Sequence, residues 1–374
     1  LRMTDSTTAF IVIGAGMAGA SCAFELAAHG RVIVLEQERQ PGFHATGRSA
    51  ALYATLYGKA VVRALSVASR PFFDALPGGF WHAPALSRRG TLFPAHEDRL
   101  SALDEIAGDS VGLSRIGRDE ILRMVPILRP EFAAAGLYEP QASDIDVDTL
   151  LQGYLRGLRA RGGTLVTDAE MESAVFRDGS WQIETSAGAY TAPIIVNAAG
   201  AWADIVAQRA GLGPLGLQPL RRTAILTEAP PFADFAQWPC VIDASEQFYF
   251  KPDAGRLLVS PADETPTPPV DAQPEELDVA IAVDRFETAT TMTIRRPSHR
   301  WAGLRTFSPD RSPVIGFDPR ATGFFWLAGQ GGYGIQTAPA ASQLAAALVT
   351  GTSIADHLCG IDRNALSPTR FTQP

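Results

Sequence analysis

Phe10-Ile-Val-Ile-Gly-Ala-Gly-Met-Ala-Gly19, followed a short distance on by Val32-Ile-Val-Leu-Glu36, decides the fold class. Residues 10–13 form an unbroken apolar run, the pattern of a strand buried on both faces of a parallel sheet. Residues 17–29 are rich in alanine and predict a helix that Gly30 stops, and residues 32–35 predict a second buried strand, completing a strand–helix–strand unit. Gly14, Gly16 and Gly19 then stand where a dinucleotide site needs them. The first permits the turn, the second lets a pyrophosphate approach the N–H groups of the helix N-terminus, and the third lets helix and strand pack closely. Glu36, 17 residues beyond Gly19, ends the second strand where a carboxylate accepts hydrogen bonds from a ribose diol. Position matters more than spacing: Gly211-Leu-Gly213-Pro-Leu-Gly216 has the same spacing, but it follows a helical stretch, contains Pro214 and reads as a connecting turn.

The pattern of buried strand, glycine and helix recurs twice. Residues 194–196 lead through Asn197-Ala-Ala-Gly200 into a helix from about Trp202. Residues 324–328 lead through Gly329-Gln-Gly-Gly-Tyr-Gly334 into a helix ending near Val349, a loop placed to bring backbone and a helix N-terminus against another part of the same cofactor. Between these lie helical pieces at residues 61–75 and 98–107, a helix over residues 148–161 capped by Asp146 or Asp148, hairpin strands over residues 164–191, and a mostly strand-like stretch from 217 to 307 with a proline-rich loop at 261–274. The expected class is α/β, α+β overall: a Rossmann-like nucleotide domain interrupted by a mixed or antiparallel β substrate domain. Residues 8–50, 145–216 and 318–372 are assigned to the first, and residues 51–144 and 217–317 to the second.

Composition narrows the partners. Of the 374 residues 46% are hydrophobic and 19% charged, with a formal net charge of -8, which argues against nucleic acid and anionic membrane surfaces and leaves small molecules. No run approaches the roughly 18 apolar residues of a membrane span and no basic-then-apolar leader is present, so a cytoplasmic protein without a membrane span is expected. Cys22, Cys240 and Cys359 are too scattered for a disulfide framework or a zinc site. Asp144-Ile-Asp146-Val-Asp148 begins like a calcium loop, but Thr149 and Leu155 stand where that loop needs Gly and Glu, so no metal site is expected and helix capping is the reading.

Thr46-Gly-Arg-Ser-Ala-Ala51, Asn197-Ala-Ala-Gly200, Trp301-Ala-Gly-Leu-Arg305, Pro313-Val-Ile-Gly316 and Gly331-Gly-Tyr-Gly-Ile-Gln336 together resemble the D-amino-acid oxidase superfamily of flavoproteins, and within it the bacterial D-arginine dehydrogenases. The resemblance runs from the first strand to the last helix. It implies FAD, bound noncovalently because no cysteine lies near the glycine-rich loops. The cofactor contacts it implies are Gly14, Gly16, Gly19, Glu36, Arg48, Ser49, Ala50, Ala199, Gly200, Trp202, Gly303, Gly331, Gly332, Gly334, Ile335 and Gln336.

It also implies that Arg222, Arg305 and Tyr249 hold a substrate carboxylate, with Tyr57 and the Gly332 carbonyl at the substrate amine. Arginine suits that task because its planar fork meets a carboxylate with two hydrogen bonds and stays charged. Strand periodicity puts Arg222, Ala224 and Leu226 on one face and Arg221, Thr223 and Ile225 on the other, so only one of the paired arginines enters the pocket. Leu52, Thr91 and Gln336 are the implied side-chain pocket. Thr91 stands where the arginine enzymes carry a glutamate, and Leu52 where they carry a histidine. With that charge and polarity gone, neutral D-amino acids are expected to outrank D-Arg. The implied reaction is FAD-dependent oxidative deamination to a 2-oxo acid and ammonia through hydride transfer to flavin N5, with oxygen, a quinone or another carrier as electron acceptor. The alternatives are a glycine- or sarcosine-type amine oxidase, a 2-hydroxy-acid oxidoreductase, and an inactive flavin-binding regulatory protein.

Overall fold

The computed structural model of the chain describes residues 7–56, 58–80, 84–108 and 112–372. Phe10–Ile13 and Val32–Leu35 are buried along their whole length and pair in parallel, Ile13 beside Leu35. They lie inside a six-stranded sheet ordered Val314–Phe317, Phe324–Ala328, Ile194–Asn197, Phe10–Ile13, Val32–Leu35 and Thr164–Val166. All its pairings are parallel except that of the edge strand Val314–Phe317 with Phe324–Ala328. Helices Met17–Leu26, Ala60–Asp74 and Gly334–Thr350 cover one face, burying Val12, Val34, Val196 and Phe325. The antiparallel strands Met171–Arg177, Ser180–Thr185 and Gly188–Ala192, with helix Ala203–Arg209, cover Ile11, Ile33 and Ile195 on the other. Burial on both faces explains why these strands read as continuous apolar runs.

A second, nine-stranded sheet forms the rest of the scaffold. In it Gln218–Thr227 and His299–Phe307 pair antiparallel with Arg222 opposite Gly303. Here the structure departs from the sequence reading. Residues 276–289, inside the stretch expected to be mostly strand, form helix Glu276–Ala289. Val279-Ala-Ile-Ala-Val283 mimics strand alternation, yet Val279, Ala282, Phe286 and Ala289 are the buried apolar residues, a helical spacing. The expected segment boundaries shift as well. Val314–Phe317 belongs to the six-stranded sheet although it precedes residue 318, and helix Ala60–Asp74 buries Val61, Val62 and Leu65 against that sheet's helices. Periodicity reports that a face is buried but not which sheet buries it.

Two local readings have clear geometry. Asp146 caps helix Val147–Ala160, its carboxylate accepting the Thr149 N–H at 2.8 Å. The turn at residues 211–216 folds over the protein's own anion: Asp204 accepts the N–H groups of Leu215, Gly216 and Leu217 at 2.9, 3.0 and 2.8 Å. Among the described residues no helix is long and apolar enough to cross a membrane.

Candidate active site

The strand-to-helix turn after Ile13 is closed to any residue but glycine at two points. Gly14 has φ +98°, and a Cβ there would lie 2.7 Å from the Ala198 carbonyl oxygen; a Cβ on Gly19 would lie 1.8 Å from the Gly14 carbonyl oxygen. Gly16 differs, since its Cβ position meets only the Thr46 hydroxyl at 3.3 Å. That hydroxyl accepts the Met17 N–H at 3.0 Å, while among the described residues the Gly16 N–H has no partner at the helix N-terminus. Glu36 is buried and accepts the N–H groups of Ala15 at 2.6 Å and Glu38 at 2.9 Å. Burial pushes its carboxyl pKa up, and the Glu38 and Ala15 hydrogen bonds pull it back. Bare backbone, an unpartnered N–H and a carboxylate at the end of the adjacent strand fit the pyrophosphate and ribose of FAD.

From Glu36 one continuous cleft, about 1600 Å³ with the open space at its mouth, runs past Gly14, Gly16, Thr46, Arg48, Ser49, Ala50, Ala199, Gly200 and Trp202 to Gly303, Arg305, Gly331, Gly332, Gly334 and Ile335. Arg48 is fixed by the carbonyls of Ala272 and Ala302 at 2.9 and 3.1 Å and by Asp271 at 2.5 Å. Trp202 packs on His44 with ring centroids 4.5 Å apart. The Asn197 amide donates to the Ala203 carbonyl at 2.8 Å and holds the turn between them.

At the far end, the cross-strand register puts Arg222, Gly303 and Arg305 on one face of the nine-stranded sheet, and Tyr249 also lines the cleft there. Gly332 lies against Arg305: a Cβ on it would come within 3.0 Å of Arg305 Nη1. Among the described residues the Arg305 guanidinium has no ion pair or hydrogen bond. Arg222 Nε donates to the Asp263 carbonyl at 2.7 Å, its Nη2 meets Glu264 at 3.2 Å, and its guanidinium carbon lies 5.9 Å from the Tyr249 ring centroid. Arg221 turns to the opposite face, where Asp278 at 2.9 Å and Glu275 engage it. Gly331, at φ +55°, is pressed on Phe307, whose ring a Cβ would enter at 2.1 Å.

Several expected pocket residues stand elsewhere. Gln336 does not line the cleft; it is buried, accepts the Ala54 N–H at 3.0 Å, and donates to the Ala54 carbonyl and the Ser66 hydroxyl. Thr91 is fully buried opposite Glu139 and Leu52 pairs with Asp144, so neither lines the cleft. Gly19 acts through packing beneath it. Tyr57 lies outside the described residues. The structure adds Thr46 and His44, and at the nucleotide end Ala169, Glu170 and Arg209. Only the Thr46 segment carried a sequence signal, and its role needs the loop at residues 42–49 folded onto the first helix.

Comparison with known proteins agrees with this geometry. The family model described as FAD dependent oxidoreductase (DAO) matches residues 9–348. Glycine oxidase of Pseudomonas putida is 28% identical over 360 residues, covering 91% of this chain and 94% of that protein. Mouse mitochondrial dimethylglycine dehydrogenase is 26% identical over 356 residues, 87% of this chain but 40% of the longer enzyme. The crystal structure of glycine oxidase from Geobacillus kaustophilus superposes with a TM-score of 0.83 at 23% identity, over 98% of this chain and 100% of that one. The chain that builds a dinucleotide cradle at Gly14 and an arginine-walled pocket at the other end of the same cleft therefore belongs to the DAO family of FAD-dependent oxidoreductases.

Proposed function

We propose that this enzyme oxidises the carbon–nitrogen bond of a small, neutral amino acid of the glycine or N-methylglycine type. The observation that carries this reading is the Arg305 guanidinium, unengaged among the described residues, in the wall of the cleft that also holds the dinucleotide cradle. An arginine so placed takes a carboxylate through both arms of its fork and thereby fixes which substrate carbon faces the cofactor. Gly332 lies against that guanidinium and has no Cβ, which would press on it at 3.0 Å. When bound, FAD supplies the two-electron acceptor for a hydride leaving the carbon next to nitrogen. The chain's own work is to hold the carboxylate, orient the amine and limit water.

Substrate charge follows from the lining. Among its described lining residues the carboxylates are Glu36 and Glu170, both at the nucleotide end, so a cationic side chain entering beside Arg305 finds no carboxylate in the lining to pair with. The matched glycine oxidase and dimethylglycine dehydrogenase support small amines over the D-amino acids suggested by the motif resemblance. Noncovalent FAD is part of the reading: Cys22 and Cys240 are buried, Cys359 is exposed, and none lines the cleft. Acid precipitation should release the flavin.

Anaerobic bleaching of the flavin against glycine, N-methylglycine, N,N-dimethylglycine, L-proline, neutral and basic D-amino acids and 2-hydroxy acids tests it. Fast bleaching by the small amines is expected. Preference for a basic D-amino acid or for a hydroxy acid overturns the reading, and bleaching by none of them favours a regulatory flavoprotein. Reoxidation with oxygen and with a quinone identifies the acceptor.

A further inference from the structure

The two arginines of the substrate end are not equivalent. Arg222 presents its Nε–Nη2 edge, the edge that grips a carboxylate with two parallel hydrogen bonds, to the protein itself: Nε to the Asp263 carbonyl at 2.7 Å and Nη2 to Glu264 at 3.2 Å. The same Glu264 oxygen takes Arg311 Nη2 at 2.8 Å, so one carboxylate sits between two guanidinium groups. The segment carrying it is anchored: Asp263 accepts the Thr223 N–H at 2.7 Å and the Thr223 hydroxyl at 3.0 Å. Glu264 keeps 35% of its side chain exposed, which places it within reach of solvent beside the cleft wall and not in the core.

We propose that Glu264 is a specificity-determining residue that confines this cleft to substrates with a single carboxylate. The proposal rests on the reading of Arg305 as the carboxylate receptor. With that receptor filled, a second acidic group on the substrate can turn to Arg222, which lines the cleft on the same sheet face as Arg305. It finds the bidentate edge of Arg222 occupied and a negative charge beside it. Exclusion by a like charge, with no new attractive contact, is a recognised route to discrimination.

The test uses the holoenzyme and Glu264→Gln, which keeps an oxygen for Arg222 and Arg311 but removes the charge. Acetate and malonate are titrated against the flavin absorbance, and kcat/KM is measured for N-methylglycine and N-carboxymethylglycine. The variant is expected to improve malonate binding relative to acetate by about five- to tenfold, the modest size reflecting solvent screening, with the same trend in the two substrates. An unchanged ratio, or equal weakening of both ligands as a purely Arg222-orienting role would produce, overturns the proposal. A second measurement needs no variant: in the parent enzyme the discrimination against malonate should shrink as salt screens the repulsion, and a salt-independent ratio also overturns it. Failure of acetate to bind either protein would sink the Arg305 reading instead, so the two failures are distinguishable.

Discussion

Arg305 and Arg222 share a sheet face but differ in what already holds them, and that difference predicts unequal losses. Arg305→Met removes the unengaged fork and is expected to cost about 2–5 kcal/mol in kcat/KM for every carboxylate substrate. Arg222→Met should cost less, because its Nε–Nη2 edge serves Asp263 and Glu264. Steady-state kinetics on flavin-loaded protein checks the order, and equal losses would contradict the unequal roles. The glycines of the first turn divide in the same manner. At Gly16 a Cβ meets only the Thr46 hydroxyl, so Gly16→Val is expected to give a folded but colourless protein, the side chain standing where the pyrophosphate approaches. Gly19→Ala drives a methyl into the Gly14 carbonyl and should instead destabilise the fold by about 1–3 kcal/mol, read as a lowered midpoint in denaturant. A Gly16→Val protein that keeps its full flavin spectrum would move the cofactor away from this turn.

The helix Gly334–Thr350 shows how an element serves the site through its buried side. Its first turn exposes Gly334 and Ile335 to the cleft, while Gln336 reaches the other way and stitches the helix to Ala54 and Ser66. Gln336→Leu leaves the Ala54 N–H without its partner inside the protein, and each such group costs about 1–3 kcal/mol. Lower thermal stability with an intact flavin spectrum is the expected result; loss of flavin at unchanged stability would restore Gln336 to the cofactor contacts. The sequence placed this helix well, since the buried strand Phe324–Ala328 and six residues of glycine-rich loop announce it. Helix Glu276–Ala289 was not announced, because its Val-Ala-Ile-Ala-Val run satisfies strand alternation as well as helix spacing, and only packing on the nine-stranded sheet chooses between them.

Across the molecule, buried acids tie stability to pH. Glu139 is 2% exposed, with one oxygen held by the Thr55 N–H at 3.0 Å and the Thr55 hydroxyl at 3.2 Å. Burial raises its carboxyl pKa, against the lowering by Thr55 and Leu56 hydrogen bonds. A carboxyl whose pKa rises on folding binds more protons folded than unfolded, so its stabilising contribution is complete below the unfolded value and is lost as pH climbs through the raised one. Glu139→Gln keeps the acceptor and cannot ionise. Between pH 5 and pH 8 the Tm of the parent should therefore fall relative to that of the variant, and parallel Tm profiles would show that Glu139 titrates normally.

Local pattern was enough for the parallel sheet, the glycine turn at residues 14–19, Glu36 at the end of its strand and the opposition of Arg221 to Arg222, because each depends on the chain's own period of burial or on backbone freedom within a few residues. Contacts between distant segments were not written in any local pattern. Thr46 caps a helix that begins 29 residues before it, Asp263 and Glu264 engage Arg222 from more than 40 residues away, and Thr91 and Leu52 are turned from the cleft by the strands that pair with them. Where a side chain points relative to a cleft is fixed by the packing of whole sheets against one another, and only the tertiary structure holds that information.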